Sequence, residues 1–461
     1  LLASYIESPE LKLAKAGIAC RLRKEGRFWI QTIKAPHEDP LSRLEHNVRI
    51  QQVGQGFPVF DLKLHANHEA GQKINQVLQP AELGSLAVRF QTDIYRRTAS
   101  VKGRGALLEY ALDEGVVFVT LADGGRSVRE IRELEIELID GNPELVLVHA
   151  KTIIRRFKAY FQTKTKALHG YELANQLEHS PAVKALPTSL GRRTNRDIAM
   201  AILANSMMQI LPNAAEIAAG VSDYDDHLHQ LRVGLRRLRT GLKILGLQHI
   251  YLSESNIAVL ANLFSKLGLY RDANFLSEKL SPALQRVKAP PMELIQHVDF
   301  SHPADIIKNT SVQLLLADLM LMLTQFKTHL GEEKTLKVKI IGLLDHLLGV
   351  TKKIANRYLE VGDESRHDLR KKLKRLRYTL EFSKDICKAS DYKKYLRELG
   401  RVAEILGDYN DVCVALEKVN DLVDVDKNIL FAQGWLAAEK DRLLVASYKA
   451  LEKFYRLKKV W

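Results

Sequence analysis

Cysteine is scarce in this chain: Cys20, Cys387 and Cys413 stand far apart, with no CxxC among them. That pattern excludes a disulfide framework and a cysteine-held metal site, and it fits a reducing compartment. Long apolar runs are missing as well; none reaches the roughly 20 residues of a membrane span. No charged-then-apolar leader opens the sequence. The expectation is a cytoplasmic chain without a membrane anchor. Neither the GxxxxGK[ST] phosphate loop nor the GxSxG nucleophile elbow occurs, which removes two large classes of nucleotide and ester chemistry. His65 and His68 in HANH form a conceivable metal pair, but two histidines without a placed third ligand read as surface residues.

What is present is length and positive charge. The 461 residues are 46% hydrophobic and 27% charged, enough for two or three domains with sizeable cores. The net charge of +14 is uneven: residues 1–180 hold 25 Lys and Arg against 22 Asp and Glu, whereas residues 181–461 hold 44 against 33. An excess of that size favours a polyanionic partner, be it nucleic acid, acidic lipid or polyphosphate.

The two halves differ in period. Up to about residue 140 the texture is alternating runs: 19–25, 27–34, 44–50, 91–101, 106–112, 116–122 and 129–139. These predict an antiparallel β-sheet or barrel, with Asp113-Glu114-Gly115 as a hairpin turn and a helix over 142–157. The alternation puts Glu133, Glu135 and Glu137 on one face and Leu134, Ile136 and Leu138 on the other. Arg21 and Arg23 alternate with Cys20 and Leu22, while Arg43, Glu45 and Arg49 share a parity, as do Glu109 and Asp113. Two readings stay open: charged faces turned to water, or charged faces lining an interior filled by a charged ligand or metal.

Residues 177–193 are rich in Pro, Ser and Gly and read as a linker. Beyond them the spacing is helical over 195–219, 223–247, 253–280, 305–330, 334–358, 363–387, 391–420 and 426–456, with a Pro-rich break at 281–303. This half reads as a duplication. HQLRVGLRRLR begins at His229 and is followed 38 residues later by LGLYRD; HDLRKKLKRLR begins at His367 and is followed 39 residues later by LGDYND. On a helical wheel His229, Arg232, Arg236 and Arg239 cover an arc of roughly 80°. Leu231, Leu235, Leu238 and Leu242 form the adjacent apolar stripe. His367, Arg370, Lys374 and Arg377 repeat the arc beside Leu369, Leu373, Leu376 and Leu380, and Arg237 and Arg375 add charge in each copy. Like charges at this spacing repel on an isolated helix. Two such stripes suggest an external polyanion, although carboxylates on neighbouring helices, with Asp272, Asp408 and Asp411 as candidates, are the competing explanation. The histidines could pack the helices or could charge at lower pH and strengthen anion binding.

These motifs carry a resemblance. The HxxR–RRLR helix with its later LGxxxD segment, present twice, resembles the CHAD domain, a duplicated helical bundle whose basic surface binds inorganic polyphosphate. The first half resembles a CYTH domain of the inorganic triphosphatase type through YIESPELKL, GIACRLR, WIQTIKAP, RLEHNV, FQTDIYR, EYALDEG, ELEIEL and KTKALHGYEL. The resemblance implies a triphosphate tunnel at 1–176, the linker at 177–193, and a helical domain at 194–461 with repeats near 194–285 and 304–461. It implies that Arg21, Arg23, Lys34, Arg43 and Arg96 grip phosphates and that Glu133, Glu135 and Lys166 form the catalytic group. The same two glutamates would hold Mg²⁺ or Mn²⁺, with Glu45, Glu109, Asp113 and Glu137 as further lumen carboxylates. In the bundle it assigns polyphosphate to His229, Arg232, Arg236, Arg237, Arg239, His367, Arg370, Lys374, Arg375 and Arg377.

Two departures stand out. The family's ExExK strand belongs upstream of Leu1, the first residue here, so the natural chain is expected to begin earlier. His169 occupies a position where relatives of this type carry arginine. The resulting expectation is metal-dependent triphosphate hydrolysis coupled to polyphosphate binding. The alternatives are a scaffold that binds polyphosphate without turnover, and a protein that holds nucleic acid by its backbone. Base readers and single-strand binders need side chains or aromatics aimed at bases, and the stripes contain only Tyr378.

Overall fold

Alternation of polar and apolar residues builds the first half. In the computed structural model, residues 1–37, 43–50, 58–103, 105–121, 123–188, 194–246, 252–294, 301–325, 333–424 and 426–461 are described. They form two units, Leu1–Ala182 with Ala219–Asp223, and Val183–Ala218 with Tyr224–Trp461. The first contains β1 (Leu2–Glu7), β2 (Ala19–Glu25), β3 (Phe28–Pro36), β4 (Arg43–Ile50), β5 (Ala87–Gly103), β6 (Ala106–Thr120) and β7 (Arg126–Gly141). They make one curled antiparallel sheet in the order β4-β3-β2-β1-β5-β6-β7.

Each face of this sheet is covered differently. On one, Cys20, Leu22, Trp29 and Ile33 pack with Leu13 of α1 (Lys12–Lys15) and with Ala70 and Ile74 of α2 (Glu69–Asn75). Further along the chain, α3 (Glu144–Phe157) packs beside β7. On the other face, Tyr5, Phe90, Ile94, Val117 and Ile131 pack with Ala167 and Tyr171 of α4 (Lys166–Ala174). Gly170 permits that docking, since a Cβ there would lie 2.1 Å from the Phe90 ring.

The structure corrects the hairpin expected at 113–115. Residues 106–112 and 116–120 belong to the continuous β6, whose register runs through Asp113, Glu114 and Gly115 without a turn; residue 122 lies outside the described residues. Gly115 is needed there because a Cβ would stand 2.1 Å from the Asp93 carbonyl oxygen on β5. β1 has no alternating signature because Ala3 to Glu7 are all buried, with both faces covered.

The second unit is helical: α5 (Asn195–Ala219), α6 (Asp225–Leu245), α7 (Glu254–Asn274), α8 (Ser281–Arg286), α9 (Pro303–Lys308), α10 (Thr310–Gln325), α11 (Glu333–Ala355), α12 (Asp363–Phe382), α13 (Ala389–Asn420) and α14 (Ile429–Tyr455). Two expected boundaries move. A π-helical turn at Phe275–Leu280 carries the chain from α7 into α8, so the proline-rich break begins after Arg286 and not at 281. The helix expected over 305–330 is divided at Asn309, whose extended ψ of 130° ends α9. Both leucine stripes are buried as the wheel predicts, Leu231, Leu235, Leu238 and Leu242 on α6 and Leu369, Leu373, Leu376 and Leu380 on α12. Among the described residues, one helix, α5, is long and apolar enough to span a membrane by length and composition, but 61% of that stretch is buried.

Candidate functional site

Strand register assembles the charged site. Residues directly opposite in an antiparallel pair share a face, and Arg96, Asp113 and Glu133 stand opposite one another across β5, β6 and β7. Along that face lie Glu135 and the opposed pair Glu109 and Glu137. Through β1, where Tyr5 pairs with both Phe90 and Arg21, the face continues to Arg21 and Arg23 on β2, Lys34 on β3 and Glu45 on β4. Arg43 has the same parity at the end of β4 and donates to the Gly17 carbonyl oxygen at 2.9 Å.

At the centre is a network of acids and bases. The Arg96 guanidinium donates to both Asp113 oxygens, at 2.7 and 2.6 Å, and to Glu135 at 2.8 Å. Lys166 Nζ lies 2.6 Å from Asp113 and 2.9 Å from Glu135, and it also bonds Glu133. Lys166 is the first residue of α4, where Thr165 caps the helix by accepting from the Leu168 N–H at 3.2 Å. A cation at a helix N-terminus is disfavoured by the helix dipole, and the three carboxylates offset that. Burial alone would lower the Lys166 pKa; attraction to Glu135 and Glu133 outweighs it and raises the value. Burial raises the Glu133 pKa, whereas Glu135 is held below its ordinary range because Lys166 and Arg96 overcome burial. One oxygen each from Asp113, Glu133 and Glu135 lies within 4.8 Å of the others. Three oxygen donors so placed suit a hard divalent cation of the Mg²⁺ or Mn²⁺ kind.

Beside this cluster the guanidiniums are crowded. Burial, Arg21 and Arg96 together push the Arg23 pKa down, against the pull of Glu25. Among the described residues, the enclosed Nε atoms of Arg21 and Arg23 have no protein acceptor. Lys34 pairs with Glu45 at 2.7 Å, and that pairing outweighs burial to lower the Glu45 pKa.

A second network escaped the sequence reading. Glu172 on α4, only 2% exposed, accepts from Arg129, Lys164 and Ser180. The parity of REIRELEIELI already places Arg129 on the face of Glu133, so that much was readable. Glu172 was not, because nothing local marks its partners. His169 borders this network with Nδ1 3.3 Å from Arg129, and burial lowers its pKa to about 4. His65, expected at the surface, is buried with Nδ1 2.8 Å from His46 Nδ1, while His68 caps α2 by accepting from the Ala70 N–H.

In the helical unit the two copies align residue by residue. Arg232 lies beside Gly268 and Arg370 beside Gly407, the glycines of the two LG segments. Arg232 and Arg370 are mostly buried, His229 is exposed, and His367 bonds Asn410. Arg236 and Arg239 face the Phe264 ring at 5.6 and 5.5 Å. Arg375 is half-buried, and burial lowers its pKa. Arg377 donates to Glu381 at 2.9 Å. Lys374 is partly buried on the same helix. Arg237 departs from the stripe: at 2% exposure it pairs with Glu381 and donates to Asn205 at 2.6 Å. Its ring neighbours are Phe382 and Tyr378, which makes it an interior tie between α6 and α12.

A curled antiparallel sheet with acids and bases massed on one face, followed by a duplicated basic helical bundle, defines a two-domain protein of the α+β-then-all-α class. Residues 1–171 match the CYTH domain model and residues 201–420 the CHAD domain model. The chain is a two-domain CYTH–CHAD protein. CYTH domains belong to the triphosphate tunnel family, which includes triphosphatases and cyclases and generally uses divalent metals. Among solved structures, the chain is similar to the CHAD domain from the plant Ricinus communis, at 22% identity and a TM-score of 0.44, over 61% of this chain and 99% of that one. It is also similar to a candidate adenylate cyclase from Bacillus halodurans, at 20% identity and a TM-score of 0.25, over 36% and 80%. Both scores are low, so the assignment rests on the two domain matches.

Proposed function

We propose that the first unit hydrolyses inorganic triphosphate with Mg²⁺ or Mn²⁺ and that the helical unit binds inorganic polyphosphate. One observation carries the reading: a compact carboxylate trio shares its sheet face with guanidiniums whose enclosed Nε atoms lack protein acceptors. The trio suits a divalent cation, and the unsatisfied donors suit phosphoryl oxygens. Asp113, Glu133 and Glu135 would hold the metal, which when bound polarises phosphoryl oxygen and orients water. Arg21, Arg23, Lys34 and Arg96 would grip the chain and neutralise charge as water attacks the terminal phosphorus in line. The P–O bond to the leaving diphosphate breaks, and orthophosphate departs. Lys166 would hold the carboxylates in register and lend positive charge to the same site.

In the bundle, Arg236 and Arg239 present guanidiniums that no carboxylate among the described residues neutralises. Tyr378, the aromatic residue in the stripes, is buried, so it offers bases no stacking surface. That favours polyphosphate over nucleic acid. A second reading, polyphosphate binding without turnover, draws support from Lys166, which already neutralises part of the carboxylate trio.

Phosphate release from tripolyphosphate by the full chain separates the two. Turnover with Mg²⁺ or Mn²⁺ is expected, falling at least about a hundredfold in Glu133→Gln and Glu135→Gln. No turnover with either metal, while polyphosphate still binds, would leave the scaffold.

A further inference from the structure

The two CHAD copies share a sequence pattern but differ in how their cations are used. We propose that the first copy, through Arg236, Arg239 and Lys243 on α6, is the main anion-holding half, and that the equivalent stripe on α12, closed by Glu381, contributes less. This rests on polyphosphate binding by the helical unit and adds which face of it does the binding.

Helical spacing aligns Arg232, Arg236, Arg239 and Lys243 with Arg370, Lys374, Arg377 and Glu381. The stripe of the first copy is therefore basic along its full length, whereas that of the second is closed by an acid. The acid is engaged: Glu381 accepts from Arg377 at 2.9 Å and also pairs with Arg237 of the first copy. Arg377 keeps donors beyond the Nε that Glu381 takes, but the adjacent carboxylate offsets its charge, so it attracts an anion less than a guanidinium that faces no acid.

The facing helices differ in the same sense. Phe264 on α7 corresponds in the repeat to Ala403 on α13. The guanidinium carbons of Arg232, Arg236 and Arg239 lie 5.0, 5.6 and 5.5 Å from the centre of the Phe264 ring. An aromatic face attracts these cations without neutralising their charge. It gathers them on one side and leaves their hydrogen-bond donors available to an anion. Arg236 and Arg239 face no carboxylate among the described residues; the enclosed Nε atoms of Arg236 on α6 and Arg375 on α12 both lack a protein acceptor, so the Phe264 ring and the acid at 381 are what distinguish the copies. Lys243 is exposed one turn further on. The chemistry that fits is a chain of phosphates laid along α6, each with charge for one cation, and held by guanidinium donors.

The experiment is titration of the full chain with long-chain inorganic polyphosphate at fixed salt, comparing two paired variants. Arg236→Gln with Arg239→Gln is expected to weaken binding at least about tenfold. Lys374→Gln with Arg377→Gln is expected to stay within about threefold of the parent. Phe264→Leu, which keeps the charge and removes the plate, should weaken binding in the same direction as the first pair. Circular dichroism of each variant establishes that the bundle is folded. Equal losses from both pairs, or a larger loss from the second, overturn the asymmetry while polyphosphate binding stands. Failure of the parent chain to bind polyphosphate overturns the reading beneath it, and this inference with it.

Discussion

Gly115 shows how one residue sets the geometry of a site two positions away. Its missing side chain lets β5 and β6 close on each other next to Asp113, which stands opposite Arg96 and Glu133. A valine there would meet the Asp93 carbonyl and force the ladder apart. Gly115→Val is expected to destabilise the tunnel unit by about 2–4 kcal/mol, read from the urea midpoint of the full chain; an unchanged midpoint would refute the close-approach argument. The same residue explains an error of sequence reading. Asp-Glu-Gly has the chemistry of a turn, and only the approach of a strand more than twenty residues earlier in the chain makes that glycine a strand residue. By contrast, the common face of Arg21, Arg23, Lys34, Arg96, Asp113, Glu133 and Glu135 was legible, because side-chain parity along a strand is a local property and the register preserves it across the sheet. Arg237 was not. Its helical position resembles that of its neighbours, and its partner Glu381 lies 144 residues away.

Elements reveal what the duplicated pattern means in packing. Buried leucines on α6 and α12 follow the 3.6-residue period and needed no structure to find. The tie between the helices did need one, since Arg237 is enclosed by Asn205 of α5 and by Glu381 and Phe382 of α12, far from it in the sequence. Glu381→Ala would leave that guanidinium buried without a counter-charge, at a cost of about 3–5 kcal/mol. Denaturant unfolding of the helical unit measures this. Arg237→Met combined with Glu381→Leu should recover most of the loss, because an apolar pair removes the charge as well as its partner. If the single variant unfolds at the parent midpoint, the ion pair is not a structural tie. β1 makes the complementary point. Covered on both faces, it shows no alternation, and length and flanking turns are the only local signals such a strand leaves.

At the scale of the whole molecule, the proposed function predicts that the two units respond to different ligands. Ligand that binds only the folded state stabilises by about 2.7 kcal/mol at a hundredfold excess over Kd. Scanning calorimetry of the full chain should therefore show long-chain polyphosphate raising the unfolding transition of the helical unit. Tripolyphosphate with a divalent metal should raise that of the tunnel unit, and less so in Glu133→Gln. A helical transition unmoved by saturating polyphosphate would count against the division of tasks. The uneven charge, with most of the positive excess after residue 180, is the sequence feature that supports the proposed division. It was readable because net charge needs no fold.

Glu381 carries one more consequence. A carboxylate that serves Arg377 in its own copy and Arg237 in the other ties the two halves of the bundle together. The first half taken alone would strand the buried Arg237, because its counter-charge sits on the second, whereas the second half keeps Arg377 on Glu381 by itself. The copies are alike in pattern but unequal in dependence: the first leans on the second more than the second leans on it.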